Sequence, residues 1–210
     1  PYIVLNIKPS RGSAGYLRKK IEAAIDAGFY NFKVGLETDE NGLYPNRVLP
    51  IVATLSSYST NRGCTFLPSK STRKGTYADA LGLLKPYRDP NGIDSTSFLD
   101  KVWRFDRNTH FDVVSGIIDS LRKTTVLAPG LLHGIEYGLN EISDNVLVHS
   151  TKMQSEHVEG YVMAQVHHQS NKVAIAVYDD GIGIPNSLRS GGVTFADTKE
   201  ARRNRWKWRR

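Results

Sequence analysis

Three polar residues stand at a strict spacing of four in the stretch "EYGLNEISDNVLVHSTK" (136–152): Glu141, Asn145 and His149. In an α-helix four residues advance about 400°, so each step of the column drifts by only about 40° and the three share a face. Leu139, Ile142, Val146 and Leu147 occupy much of the remaining surface and predict substantial burial. Burying a carboxylate, an amide and an imidazole without partners is costly. The column must therefore meet either an internal hydrogen-bond network or a bound ligand with a metal ion.

A second motif lies about thirty residues downstream. "VYDDGIGIP" places Asp179 at the exit of an apolar strand, with Gly181 and Gly183 behind it. Two glycines at that spacing let the backbone turn tightly and let a flat ligand approach without Cβ interference. A carboxylate beside them is an acceptor suited to an exocyclic amino group. Taken alone, Asp-Asp-Gly is a turn signal.

Together, "NEISDNVLVH" and "DDGIGIP" resemble the N box and G1 box of the GHKL ATPases. That superfamily includes type II topoisomerases, ninety-kilodalton heat-shock chaperones, histidine kinases, mismatch-repair proteins and anti-sigma-factor serine kinases. The Glu-x-x-x-Asn-x-x-x-His form is closer to the topoisomerase and anti-sigma branches, and the likeness covers roughly residues 105 to 195. It implies ATP and Mg²⁺ as cofactors, with ATP hydrolysis or protein-serine phosphorylation in the complete protein. It implies that Asn145 offers its amide oxygen to the Mg²⁺, that Glu141 orients and deprotonates the attacking water or hydroxyl, and that Asp179 accepts from the adenine amino group. Gly181 and Gly183 would shape the pocket wall, and His149 would lie near the phosphates or close the helix end. The first ninety residues more weakly resemble a STAS-like module. The family's glycine-rich lid is not found behind "IPNSLRSGGVTFADTKEA", where Gly191 and Gly192 come too early. This predicts weak nucleotide binding and poor turnover by these 210 residues, and a fragment or a reading-frame break near Glu200.

The elements that must carry these motifs follow from periodicity. "YIVLNI" (2–7) reads as a buried strand, "YLRKKIEAAIDAG" as a helix ended by Gly28, and "FYNFKVGLE" as a strand. "PNRVLPIVATLSSYSTNRG" reads as a helix ended by Gly63, "CTFLPS" as a strand and "TYADALGLLKPY" as a short helix. This alternation predicts a small α/β layer ending near Tyr87, and "RDPNGID" (88–94) is the linker candidate. Beyond it, "FLDKVWRFD" reads as strand or edge structure, "THFDVVSGIIDSLRKT" as an amphipathic helix and residues 128–150 as a longer one. "GYVMAQVHHQSNKVAIAVYDDGIGIP" reads as two strands joined by "HQSNK", with Val173, Ile175 and Val177 alternating with Ala174, Ala176 and Tyr178. The expected fold class is α/β: a small N-terminal α/β domain over 1–92, an incomplete Bergerat-type two-layer sandwich over 93–200, and a basic tail over 201–210.

Composition narrows the field. The net charge is +7, from 28 Lys and Arg against 21 Asp and Glu, but the tail "ARRNRWKWRR" holds six of the basic residues; without it 22 face 21. The globular part is nearly neutral, so nucleic acid is expected to bind only through the tail, if anywhere. No window approaches the roughly 18 apolar residues of a membrane span, and "PYIVLNIKPSRG" lacks the features of a signal peptide. The chain starts at Pro1 rather than Met and reads as cut or processed there. A cytoplasmic protein with no membrane contact is the expectation.

The lone cysteine, Cys64, reads as a small buried apolar side chain. The turn "RGSAG" matches neither a dinucleotide fingerprint nor a P-loop and receives no role. His110 lacks the context of a phospho-accepting histidine. His133, His149, His157, His167 and His168 do not converge as zinc requires, the last two being expected on opposite faces of a strand. No Gly-x-Ser-x-Gly elbow is present. The competing reading is a nucleotide-switched regulatory interaction protein of anti-sigma type, acting on a protein partner without turnover.

Overall fold

The structure is a computed structural model, and it describes residues 1–10, 12–37, 43–69, 81–92, 97–149, 159–179 and 181. Of His149 it describes the backbone alone. The fold is mixed α/β, as expected, with two three-stranded sheets.

The N-terminal half alternates strand and helix: β1 (Ile3–Ile7), α1 (Ser13–Asp26), β2 (Asn31–Leu36), α2 (Pro45–Arg62) and β3 (Thr65–Pro68). The strands run parallel in the order β1-β2-β3, with Leu5 opposite Val34 and Phe32 opposite Phe66. Two-residue periodicity buries Phe32, Val34 and Leu36 on one side of β2. Helix α1 places Leu17, Ile21 and Ala24 inward at the three- and four-residue spacing of an amphipathic helix. Gly28 and Gly63 adopt φ values of 82° and 65° behind the two helices, a conformation that costs a side chain but not glycine. In the "RGSAG" turn, Ser13 Oγ accepts from the Ser10 amide and donates to the Lys8 carbonyl, so this hydroxyl is used in closing the turn.

The C-terminal half contains β4 (Trp103–Phe105), α3 (His110–Thr124), α4 (Leu131–His149), β5 (Gly160–His167) and β6 (Lys172–Asp179). Its sheet, ordered β4-β5-β6, is antiparallel, and Tyr87 adds a single parallel bridge to Trp103. Alternation works on both faces here. Val162, Ala164, Val173, Ile175 and Val177 pack beneath α3 and α4, whereas Tyr161, Met163, Ala176 and Tyr178 join the core that contains α2. Helix α2 thus lies between the two sheets, which explains why Val48, Leu49, Ile51, Val52, Ala53 and Leu55 are all buried around its circumference. The layers are sheet, α1 with α2, sheet, α3 with α4.

Several expectations change. Residues 81–87 form turns rather than the end of a helix: Gly82 has φ 75°, and Tyr87 is drawn into backbone hydrogen bonds with Val102 and Arg104. The expected helix's first residues, 76–80, lie outside the described residues, as do 93–96 of the linker region. Of "FLDKVWRFD" only Trp103–Phe105 is strand, because Phe98 is held instead by Ser120 Oγ and by the Trp103 indole. His167 ends β5 and His168 opens a short 3₁₀ turn, so the pair does not share a strand. Helix α4 is not buried all round. Leu139, Ser143, Val146 and Leu147 face the core, while Ile142 is 51% exposed, with Tyr137 and Val148 also open to solvent. No helix among the described residues is long and apolar enough to cross a membrane.

Candidate functional site

Helix α4 opens behind Gly130, whose φ of 79° lets the chain turn in after Pro129. Its first turns, at Leu131 and Ile135, border a cavity of about 270 Å³ with Val166, Asn171 and Val173, where β5 turns into β6. From Leu131 to Asn145 the helix climbs about 21 Å at about 1.5 Å per residue. From Val173 to Asp179 the strand covers about 20 Å at about 3.3 Å per residue. The C-terminal half of α4 and the exit of β6 are therefore brought to one end of the layer.

A second set of contacts marks the same end. Phe105, Gly160 and Asp179 stand in one row across β4, β5 and β6. Behind Phe105, Asp106 Oδ1 accepts from the amides of Asn108 and Thr109 and from Thr109 Oγ1, fastening the start of α3. Burial alone would raise the Asp106 carboxyl, but those hydrogen bonds and the nearby Arg104 hold it below its ordinary range. Four residues on, His110 Nε2 lies 3.2 Å from Asp144 Oδ1 of α4. Arg104 is ion-paired with Glu159 beside the start of β5. The start of α3, the end of α4 and the exits of β4 and β6 thus share one edge.

Within this edge, Asn145 is half-buried and its Nδ2 donates to the Glu141 carbonyl at 2.6 Å. With the nitrogen tied back along the helix, Oδ1 is the acceptor the amide can present to another group. Glu141, one turn earlier, is also half-buried. Asp179 Oδ1 accepts from the Gly181 amide at 2.9 Å, which orients the Asp179 carboxylate. Glu141 and Asn145 follow Tyr137 at four-residue spacing, so they lie on the outer side of α4, where Tyr137 is 68% exposed, and not on the stripe of Leu139, Val146 and Leu147 that meets the sheet; the side chain of His149, and Gly183 together with residues 182–200, lie outside the described residues. Sequence reasoning missed Asp144 and gave His110 no part; the sole signal was a histidine just inside a helix start, with an acid between Glu141 and Asn145.

The oxygen donors are the Asn145 amide on α4, with the Glu141 carboxylate one turn away, and the Asp179 carboxylate on β6. Such hard oxygen donors fit a Mg²⁺ that draws most of its ligands from phosphate and water. They do not fit a metal held by protein alone, and among the described residues no three His, Cys, Asp or Glu side chains gather at one point. A cavity of about 870 Å³ lies elsewhere, between α2, β3 and residues 84–92. Compared with family models, curated proteins and solved structures, the chain matches none of them.

Proposed function

We propose that this protein binds an adenine nucleotide with Mg²⁺ at the edge where the end of α4 meets the exit of β6, and that the complete protein uses the site for ATP hydrolysis or serine phosphorylation. The reading is supported by the likeness of both motifs to those of the GHKL ATPases. The observations that bear on it are an Asn145 whose nitrogen is bound to the Glu141 carbonyl, leaving Oδ1 to accept, and an Asp179 carboxylate oriented by the Gly181 amide. Asn145 Oδ1 holds the cation, which when bound offsets phosphate charge. Asp179 accepts a hydrogen bond from the purine amino group, and Gly181 keeps that wall free of side-chain bulk. Glu141 would orient a water or hydroxyl and take its proton as that oxygen bonds to the γ-phosphorus and the γ-phosphorus–bridging oxygen bond breaks, with ADP leaving.

The test is nucleotide titration followed by calorimetry or amide chemical shifts, with Mg²⁺ and with EDTA. Weak binding strengthened at least fivefold by Mg²⁺ is expected, with the gain lost in Asn145→Ala. Equal affinity with and without Mg²⁺ removes Asn145 from its role; no shift near Asp179 at millimolar ATP removes the site altogether. Robust Mg-dependent hydrolysis by these 210 residues would contradict the expected poor turnover.

A second reading, a nucleotide-switched regulator acting on a protein partner without turnover, draws on the outer side of α4. There Tyr137 and Val148, eleven residues apart on one face, are 68% and 59% exposed, apolar side chains that a partner could cover. Glu141→Ala separates the two. An enzyme loses phosphoryl transfer and keeps nucleotide; a switch keeps its effect on the partner.

A further inference from the structure

The cavity of about 870 Å³ owes nothing to the α4–β6 edge. It lies where α2 and β3 face the segment 84–92 that carries Tyr87. That segment is held in place: the Tyr87 amide donates to Val102 and its carbonyl accepts from Arg104. The floor is apolar, built from Leu55, Phe66, Leu84 and Tyr87. One wall presents the hydroxyls of Ser56, Ser59 and Thr60, which share a face of α2 at three- and four-residue spacing. The opposite wall presents the cations of Lys85 and Arg88, both exposed, and no described side chain pairs with either. The acid beside them, Asp89, has Oδ1 engaged by the Asn91 amide.

About 870 Å³ falls inside the range of about 300–1,000 Å³ typical of small-molecule sites. An apolar floor excludes a bare inorganic ion as the best-fitting ligand. Among the described lining residues two cations stand against one acid, which favours an anionic ligand over a cationic one, and the α2 hydroxyls supply donors for a negative group. We propose that this groove is a second ligand site, one that takes a small organic anion: a flat or aliphatic body on Leu55, Phe66 and Tyr87, with a carboxylate or phosphate head between Lys85, Arg88 and the α2 hydroxyls.

The probes are 1-naphthoate, 1-naphthyl phosphate and the neutral 1-naphthalenemethanol, each titrated to millimolar concentration into the full chain and followed by amide chemical shifts. Shifts at Ser56, Ser59, Tyr87 and Arg88 are expected with either anion, at least fivefold weaker with the alcohol. The stronger of the two anions identifies the head group. Lys85→Ala with Arg88→Ala is expected to weaken anion binding at least fivefold and leave the alcohol unchanged. Ser59→Trp, an exposed helix position, is expected to fill the groove and abolish all three. Absence of shifts at these residues, or binding indifferent to the charge variants, overturns the proposal. Asn145→Ala serves as the control. It leaves this groove untouched, so failure here and failure at the α4–β6 edge are read separately.

Discussion

Alanine at position 160 probes the strand register on which the candidate site rests. A Cβ built on Gly160 would lie 2.3 Å from Phe105 Cζ and 2.8 Å from both Cε atoms. Carbon atoms rest about 3.5–4.0 Å apart, so the ring would have to retreat by more than about 1 Å. It has nowhere to go. Phe105 is 1% exposed, and its backbone pairs with the very glycine that crowds it. Overpacking of this kind costs about 1–3 kcal/mol. In a chain of this size each kcal/mol shifts Tm by about 2–4 °C, giving a fall of about 2–12 °C. Urea unfolding monitored by circular dichroism measures it, and Phe105→Leu in the Gly160→Ala background should recover part of the loss because the two changes share one contact. Because Gly160 also stands opposite Asp179, the variant should weaken whatever binds at that edge. A Gly160→Ala protein within about 0.5 kcal/mol of the parent, with no coupling to position 105, would refute the packing of Phe105 over this glycine.

Three further outcomes follow from individual side chains. The Tyr58 hydroxyl donates to Glu22 at 2.6 Å, and burial, followed by that bond and the Glu22 charge, pushes its pKa up to about 12. Its contribution is complete below the ordinary tyrosine range and fades as pH rises from about 10 through about 12, so Tyr58→Phe should cost about 0.5–1.5 kcal/mol at pH 7, and the difference should shrink toward pH 12. Asp106 has a lowered pKa despite its burial, so its contribution is present above the ordinary carboxylate range and is lost as pH falls through the depressed value. Asp106→Ala should cost about 0.5–2 kcal/mol at pH 7 and flatten the acid limb of the stability curve; an unchanged limb counts against the capping role. Cys64 is 3% exposed, and burial raises its thiol. Ellman's reagent at pH 8 should modify it at least tenfold more slowly in buffer than in urea, and equal rates would show that the start of β3 is open.

What could be read from residues alone was whatever a local period dictates. The β1-α1-β2-α2-β3 alternation, the helices α3 and α4 and the β5–β6 pair all follow from apolar spacing and from glycines placed to end helices. The mixed α/β class and the inward and outward alternation of β6 were legible for the same reason. Misreadings occurred where a distant partner outweighs a local preference. "LGLLKPY" has helical composition, yet Tyr87 is claimed by Val102 and Arg104 across the chain. Ile142 looked like core and is half-exposed, because the sheet beneath α4 covers only the stripe through Leu139, Val146 and Leu147. The punctuation at 88–94 separates the two sheets in sequence, but only tertiary packing decided that α2 would be buried between them and tie Tyr161 and Met163 into the N-terminal core. For the candidate site, the types and spacing of Glu141, Asn145 and Asp179 were visible in the chain. Their arrival at one edge was not, since it depends on helix rise, strand rise and register acting together. A one-dimensional pattern specifies which face of an element is apolar; which other face it meets is settled only when every element competes for burial at once.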